Sequence, residues 1–343
     1  MTIEQRIEAF VQLGKLIRKG LNEQSEDFKS IIIKAKVHNP WFDPRFTKIA
    51  LGAIADLLTE MKLSGWVKAY SQDFFEESDM KVGVIMAGNL PMVGFHDFLS
   101  VLISGKVFKG KLSSQDEFLL PFIAELLISI EPAFQSKIVF VPHLLKDFDA
   151  VIATGSNNSA RYFDYYFGKY PHIIRSNRNS VAVITGEETK EQLHKLADDV
   201  YMYFGLGCRS ISKLFVPKAY DVTKLLDEFQ HYMFLHEHTK YFNNYEYNKS
   251  IFLLNKVPHF DNGFSLLTKN SSYASPVSVL YYEEYEQLES LEQRLKMENE
   301  QIQCVISGGE LGIKHDIFGK SQYPSLSEYA DNVDIISFVG SLK

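Results

Sequence analysis

Cysteine is scarce: Cys208 and Cys304 are the two in 343 residues. That excludes a disulfide framework and suits a reducing compartment, so a cytoplasmic location is expected. Charge of one sign gathers nowhere. The net charge of −7 is spread along the chain. Without a basic stripe, nucleic acid is discounted as a partner. No apolar run is clean enough for a membrane span, because His96, Asp97 and Glu125 interrupt the greasiest stretches. The opening Met1-Thr2-Ile3-Glu4-Gln5-Arg6 lacks the charged-then-apolar order of a signal peptide. Gly-x-Gly-x-x-Gly does not occur, which removes the usual dinucleotide fingerprint. No internal repeat or low-complexity segment stands out.

What is there suits a well-packed protein of two domains. Hydrophobic residues make up 45% of the chain, with 26 Phe and 18 Tyr. Residues 1–75 read as helices. Ile7, Phe10, Val11, Leu13 and Leu16 recur at helical spacing, as do Ala50, Leu51, Ile54, Leu57 and Leu58. From Lys81 onward, short apolar strands alternate with helical runs, the pattern of a parallel sheet covered on both faces. Strands are expected at 81–86, 105–111, 138–141, 150–154, 181–184, 213–216, 277–281 and 302–306, with a further strand in the tail at 333–339. Helices are expected at 116–131, 221–235 and 284–299.

Four segments carry candidate chemistry. Cys208 follows two glycines in Gly205-Leu206-Gly207-Cys208-Arg209-Ser210, so backbone can approach a ligand closely there. The Arg209 cation favours a thiolate, the attacking form. The competing reading is a buried structural thiol. Asn89 stands at a strand end beside Gly88 and Pro91, where parallel sheets bind ligands. Its amide is a donor for a developing oxyanion, or simply a turn residue. Gly155-Ser156 ends a strand before a helix and offers backbone N–H groups to a pyrophosphate, as many ordinary turns do. Lys111 closes a glycine-containing strand and is a ribose or phosphate contact or a solvated lysine. Three further features are set aside. His236-Glu237-His238 puts its histidines on different helical faces, which disfavours a metal. Gly308-Gly309-Glu310-Leu311-Gly312 reads as a loop, and Cys304 as core.

The order of these segments resembles the aldehyde dehydrogenase superfamily. Val82 to Met92, with Asn89-Leu90-Pro91, is similar to that family's oxyanion-hole segment. Gly105 to Ser114 is similar to the segment ending in Lys-Pro-Ser-Glu. Asp149 to Ser156 resembles the Phe-Thr-Gly-Ser turn under the cofactor phosphates. Gly205-Leu206-Gly207-Cys208 resembles Gly-Gln-x-Cys, which carries the nucleophile. The resemblance covers roughly residues 75–340.

The departures narrow it. The family's glutamate base, in Glu-Leu-Gly-Gly-Lys, falls on Ile174 of Ile174-Arg175-Ser176-Asn177-Arg178. That base activates water against the acyl-enzyme, and an enzyme exchanging acyl groups between thiols does not need it. The ribose-holding Glu-x-Phe-Gly-Pro becomes Ser272-Tyr273-Ala274-Ser275-Pro276. The acidic residue after the cofactor lysine becomes Ser114, which leaves room for the 2′-phosphate of NADPH, with NADH as the alternative. Together these are similar to the acyl-CoA reductase branch, that of the fatty-acid reductase subunit of bacterial bioluminescence.

The resemblance implies an α/β, aldehyde dehydrogenase-like fold: two parallel-sheet domains with a helical N-terminal segment. The expected divisions are a helical segment at 1–75 and a dinucleotide-binding domain at 76–203. A cysteine domain at 204–320 and a tail at 321–343 with an oligomerisation strand follow. It implies NADPH-dependent reduction of a fatty acyl thioester. Cys208 and Asn89 would be catalytic, and Lys111, Ser114, Gly155 and Ser156 would bind cofactor. The donor is acyl-CoA or an acylated carrier or partner protein, no metal is called for, and a homo-oligomer is expected. The aromatic-rich stretches 162–170 and 241–247 favour a long apolar substrate. The rival readings are a semialdehyde or acyl-phosphate reductase on the same fold, and a non-catalytic acyl-binding subunit.

Overall fold

The computed structural model describes residues 1–342, and of Asn157 the backbone alone; Lys343, in the expected 321–343 tail, lies outside the described residues. The chain forms two compact units. One is Met1–Asn177 together with the chain from Ser325, and the other is Arg178–Pro324. The fold is α/β with parallel sheets and a helical N-terminal segment, as expected.

The first unit opens with α1 (Ile3–Asn22), α2 (Glu26–His38), α3 (Pro44–Leu57) and α4 (Glu60–Val67). Their starts follow from capping chemistry. Thr2 and Gln5 form a reciprocal capping box, Asp43 caps a helix with Pro44 at its first position, and Thr59 caps α4. Then come β1 (Lys81–Ile85), α5 (Phe95–Ile103), β2 (Val107–Lys111), α6 (Leu119–Ile130) and β3 (Ile138–Phe140). The series closes with β4 (Ala150–Thr154), α7 (Asn157–Phe167) and β5 (His172–Arg175). The five strands are parallel in the order β3-β2-β1-β4-β5.

The N-terminal helices are part of this unit's core. Phe10, Leu13 and Ile17 of α1 are fully buried in one cluster with Phe98, Phe108 and Phe134. Each such side chain contributes roughly 1.5–3 kcal/mol of burial. Arg6 is buried on the same helix, with Nη1 donating to the Ile103 carbonyl at 2.6 Å and Nη2 to that of Phe75. Burial pulls its guanidinium down to about 10.

The second unit runs β6 (Asn179–Val183), α8 (Lys190–Tyr201), β7 (Ile211–Pro217), α9 (Thr223–Glu228) and α10 (Thr239–Leu254). It continues with β8 (Phe260–Asp261), β9 (Leu266–Lys269), β10 (Val279–Tyr285), α11 (Leu288–Met297), β11 (Ile302–Ser307) and β12 (Asp316–Ile317). The sheet order is β12-β11-β6-β7-β10-β9-β8, parallel but for β8 against β9. The border therefore falls at 177/178 and not at 203/204. The reason is pairing: β6 is bonded to β7 and β11, which carries it and α8 into the second sheet.

The tail differs from expectation. Residues Ile335–Gly340 form α12, not a strand, so the expected oligomerisation strand falls away. Asp334 caps the helix through the Ser337 N–H at 2.9 Å, and Ile335, Ile336 and Val339 are buried in the first unit's core. Among the described residues, no helix is long and apolar enough to cross a membrane.

Candidate active site

In the first sheet the chain runs outward from β1 through β2 to β3, then returns to β4 on the other side of β1. Loops leaving the carboxyl ends of β1 and β4 thus diverge, and ligands bind in such a crevice. The loop after β1 carries Asn89, and the one after β4 carries Gly155 and Ser156. Lys111 ends β2, beside β1, and Ser114 follows three residues later. All five first-unit candidates therefore sit at the same edge of one sheet. Asn89, Ser114 and Ser156 are exposed, while Lys111 and Gly155 are half-buried.

Local packing explains the residue types. A Cβ on Gly88 would lie 2.5 Å from Ser113 Oγ. A Cβ on Gly155 would lie 2.7 Å from Ser159 Cβ and 2.9 Å from Phe163. Ser156 caps α7 by accepting the Ser159 N–H at 3.2 Å. The Gly155 N–H does not face a ligand as expected: it donates to the Arg175 carbonyl at 3.3 Å. The first turn of α7 has backbone N–H groups with no partner within the helix, and Ser156 Oγ takes that of Ser159.

Several residues that shape this edge carried no local sequence signal. Asn39, buried at the end of α2, donates to the Gly88 carbonyl at 3.5 Å and to that of Gln115 at 3.3 Å. His38 bonds the Ser114 carbonyl through Nε2 at 2.6 Å. Asp116 accepts the Met92 N–H at 3.3 Å and the Leu119 N–H at 3.4 Å. Met92 has φ +61°, so that carboxylate holds a left-handed turn just past Asn89. Burial pushes the Asp116 carboxyl up to about 6, against the opposing pull of backbone donors at Met92, Leu119 and Phe118.

Cys208 lies in the second unit, on the turn leading into β7, and is exposed. The competing buried-thiol reading therefore fails for it. Three consecutive residues before the turn are left-handed: Tyr203 (φ +55°), Phe204 (φ +61°) and Gly205 (φ +70°). For two bulky residues this is strain, held because Phe204 is buried against His238 (ring centroids 4.3 Å) and Tyr241 (5.9 Å). The Gly207 N–H donates to Ser210 Oγ at 3.2 Å and the Ser210 N–H to the Gly207 carbonyl at 3.0 Å, closing the turn. The Cys208 carbonyl accepts Ser180 Oγ at 2.8 Å, and Ser180 Oγ accepts the Cys304 N–H at 3.2 Å. Cys304 Sγ is 3.0 Å from the same hydroxyl. Burial pushes the Cys304 thiol up to about 12, overcoming the opposite influence of Arg209.

Other candidates resolve simply. His238 Nδ1 accepts the Tyr241 N–H and caps α10, while the His236 ring packs on Phe242. Within the 241–247 stretch Tyr241 and Tyr245 are core residues, while Tyr247 is exposed. Ile174, where the resemblance has its base, is half-buried on β5.

Residues 72–238 match the model of the acyl-CoA reductase (LuxC) family. The suspected acyl-CoA reductase resemblance is borne out. The matched segment contains all six candidate residues, from Asn89 to Cys208. No curated protein matches the sequence. Solved structures share the fold at low identity. A putative aldehyde dehydrogenase from Burkholderia cenocepacia superposes with a TM-score of 0.65 at 12% identity, covering 91% of this chain and 76% of its own. A putative methylmalonate-semialdehyde dehydrogenase from Sinorhizobium meliloti, complexed with NAD, gives 0.63 at 14%, covering 91% and 74%. An NADP-dependent enzyme of E. coli gives 0.66 at 11%, covering 90% and 73%. The fold is aldehyde dehydrogenase-like, and with the acyl-CoA reductase match it supports an oxidoreductase.

Proposed function

We propose that this chain reduces a fatty acyl thioester, acyl-CoA, to the aldehyde with NADPH, in the cytoplasm, through an acyl group held on Cys208. The observation that carries the reading is Cys208 itself: an exposed thiol on a strained, doubly pinned turn inside the acyl-CoA reductase match. Ile174 in place of the family's base supports thiol exchange over hydrolysis.

Cys208 as thiolate attacks the thioester carbonyl, and its sulfur forms the new C–S bond. The resemblance gives the Asn89 amide and the Cys208 N–H the role of stabilising the oxyanion that develops. Losing one such donor costs on the order of 3 kcal/mol in the barrier. As the oxyanion collapses the bond to coenzyme A breaks, and its thiolate leaves and takes a proton. A thioester on Cys208 remains. NADPH, when bound, supplies the hydride that reduces this acyl group. The thiohemiacetal left on Cys208 then releases aldehyde and regenerates the thiolate. The fit to a nicotinamide nucleotide rests on the crevice at the β1/β4 switch, the tight Gly155 packing and the exposed Ser156 at the start of α7. Lys111 and Ser156 would hold phosphate and ribose. Ser114, without a carboxylate, supports NADPH, with NADH as the alternative.

Intact-protein mass spectrometry after mixing with a long-chain acyl-CoA tests the scheme. The expected result is an adduct on Cys208 that NADPH removes with release of aldehyde, and its loss in Cys208→Ala. Reductase activity surviving in Cys208→Ala would sink it. An adduct that persists with NADPH would favour an acyl-binding subunit. No adduct would favour a semialdehyde or acyl-phosphate substrate.

A further inference from the structure

The carboxyl edge of the first sheet holds a charge pair that the reaction itself does not use. Arg175, the last residue of β5, is 5% exposed, and Asp97, in the first turn of α5, is 6% exposed. Arg175 Nη1 donates to Asp97 Oδ2 at 2.8 Å and Nη2 to Oδ1 at 2.9 Å, two parallel bonds of a guanidinium fork on a carboxylate. Nη1 also reaches Thr154 Oγ1 at 3.5 Å, at the end of β4, while the Arg175 carbonyl accepts the Gly155 N–H at 3.3 Å. One residue therefore grips the end of β4 through side chain and main chain, immediately before the Gly155-Ser156 turn. Its partner sits on the helix that follows Asn89.

Taking two charges out of water is expensive, and apolar residues of similar volume serve packing as well or better. What the fork supplies and an apolar pair lacks is directional hold on a neighbouring backbone. We propose that Asp97 and Arg175 form a positioning clamp for nicotinamide-nucleotide binding, which fixes the Gly155-Ser156 turn against α5. This rests on the cofactor reading above. Both are positioning residues, not catalytic ones, because their hold on the nucleotide runs through Thr154 and Gly155.

The test compares wild type, Arg175→Lys and the double variant Asp97→Leu/Arg175→Met. The lysine keeps charge without the fork, and the apolar pair keeps packing without charge. Three readouts are needed: melting temperature without nucleotide, NADPH affinity by calorimetry, and the rate of Cys208 acylation by acyl-CoA followed by intact mass. The double variant is expected to melt at or above wild type and acylate within about 3-fold of it. Its NADPH affinity should fall about 10-fold, because binding would then have to order a turn that the clamp otherwise holds ready. Wild-type NADPH affinity in that variant overturns the clamp. If the double variant does not fold, Arg175→Lys decides: weaker NADPH binding at unchanged melting temperature upholds the clamp, and unchanged binding overturns it. Wild-type protein that binds neither NADPH nor NADH overturns the cofactor reading, and the clamp with it.

Discussion

Cys208 and Cys304 hang on one hydroxyl, Ser180 Oγ, yet their surroundings are opposite. Cys208 is exposed on its turn, whereas burial pushes the Cys304 thiol up to about 12. Cys304 is half-buried, so alkylation with iodoacetamide near pH 8 should modify Cys208 well ahead of Cys304 in the folded protein. Equal labelling of both would contradict the burial argument. Ser180 has a sharper part. It is fully buried and donates to the carbonyl of the nucleophile, so Ser180→Ala removes one donor from that carbonyl and one acceptor from the Cys304 N–H. The cost is about 1–3 kcal/mol. The chain entering the turn already carries strain of order 1–3 kcal/mol at each of Tyr203 and Phe204, so part of that loss should appear as a looser turn. The expected outcome is acylation slowed about 3- to 10-fold, read by quenched-flow mass spectrometry. A lowered melting temperature with wild-type acylation would make Ser180 purely structural.

At the scale of elements, the end of α2 belongs to the candidate site. Asn39 ties the loop after β1 to the loop after β2 through Gly88 and Gln115, and Asp116 adds a second tie through Met92. Asn39→Ala should lower reductase turnover about 3- to 10-fold while leaving acyl-CoA affinity near wild type, because each lost buried hydrogen bond is worth about 1 kcal/mol. A change in affinity alone would speak against it. These ties also show what a sequence conveys. Strands β1, β2 and β4 were legible because each is a short apolar run closed by turn residues, and the edge bearing Asn89, Lys111 and Gly155 followed from their order. Ser180 with Cys208, and Asp97 with Arg175, are joined across 28 and 78 positions, where no local spacing announces a partner. Strand β5 is four residues and was read through. In α10, the buried Tyr241, Tyr245 and Asn248 recur at helical spacing, but polar residues between them mask the stripe. The tail run Ile335-Ile336-Ser337-Phe338-Val339 is rich in strand-forming residues, yet burial of Ile335, Ile336 and Val339 makes it α12. Asp334 as a cap was the signal available for that helix.

Across the whole molecule, each unit encloses a buried carboxyl group that burial holds towards its neutral form. Asp116 in the first unit and Asp199 in the second are both pushed up to about 6 by burial, from an ordinary 3.8. Asp199 accepts the Gly319 N–H at 2.5 Å and the Ser321 N–H at 2.9 Å, which oppose that shift without cancelling it. Between about pH 4 and pH 6 the folded chain keeps protons on these groups that the unfolded chain has released. Stability from them therefore falls as pH rises through that window, by on the order of 3 kcal/mol for each group, and levels off above it. Ion-paired carboxylates such as Asp43 and Glu283 are held low instead, by Arg45 and by Lys213 with Arg294, and act in the opposite sense. Their stability is lost as pH falls, so the total curve hides the buried pair. A difference isolates it. Asp199→Asn removes one titration and one acceptor, and the lost acceptor gives a constant offset. Urea unfolding of variant and wild type at pH 4 and pH 7 should show the variant gaining on wild type by on the order of 2–3 kcal/mol over that interval. A difference that does not change with pH would mean that the Asp199 carboxyl titrates as it does in the unfolded chain, and that burial at α8 leaves its charge uncompromised.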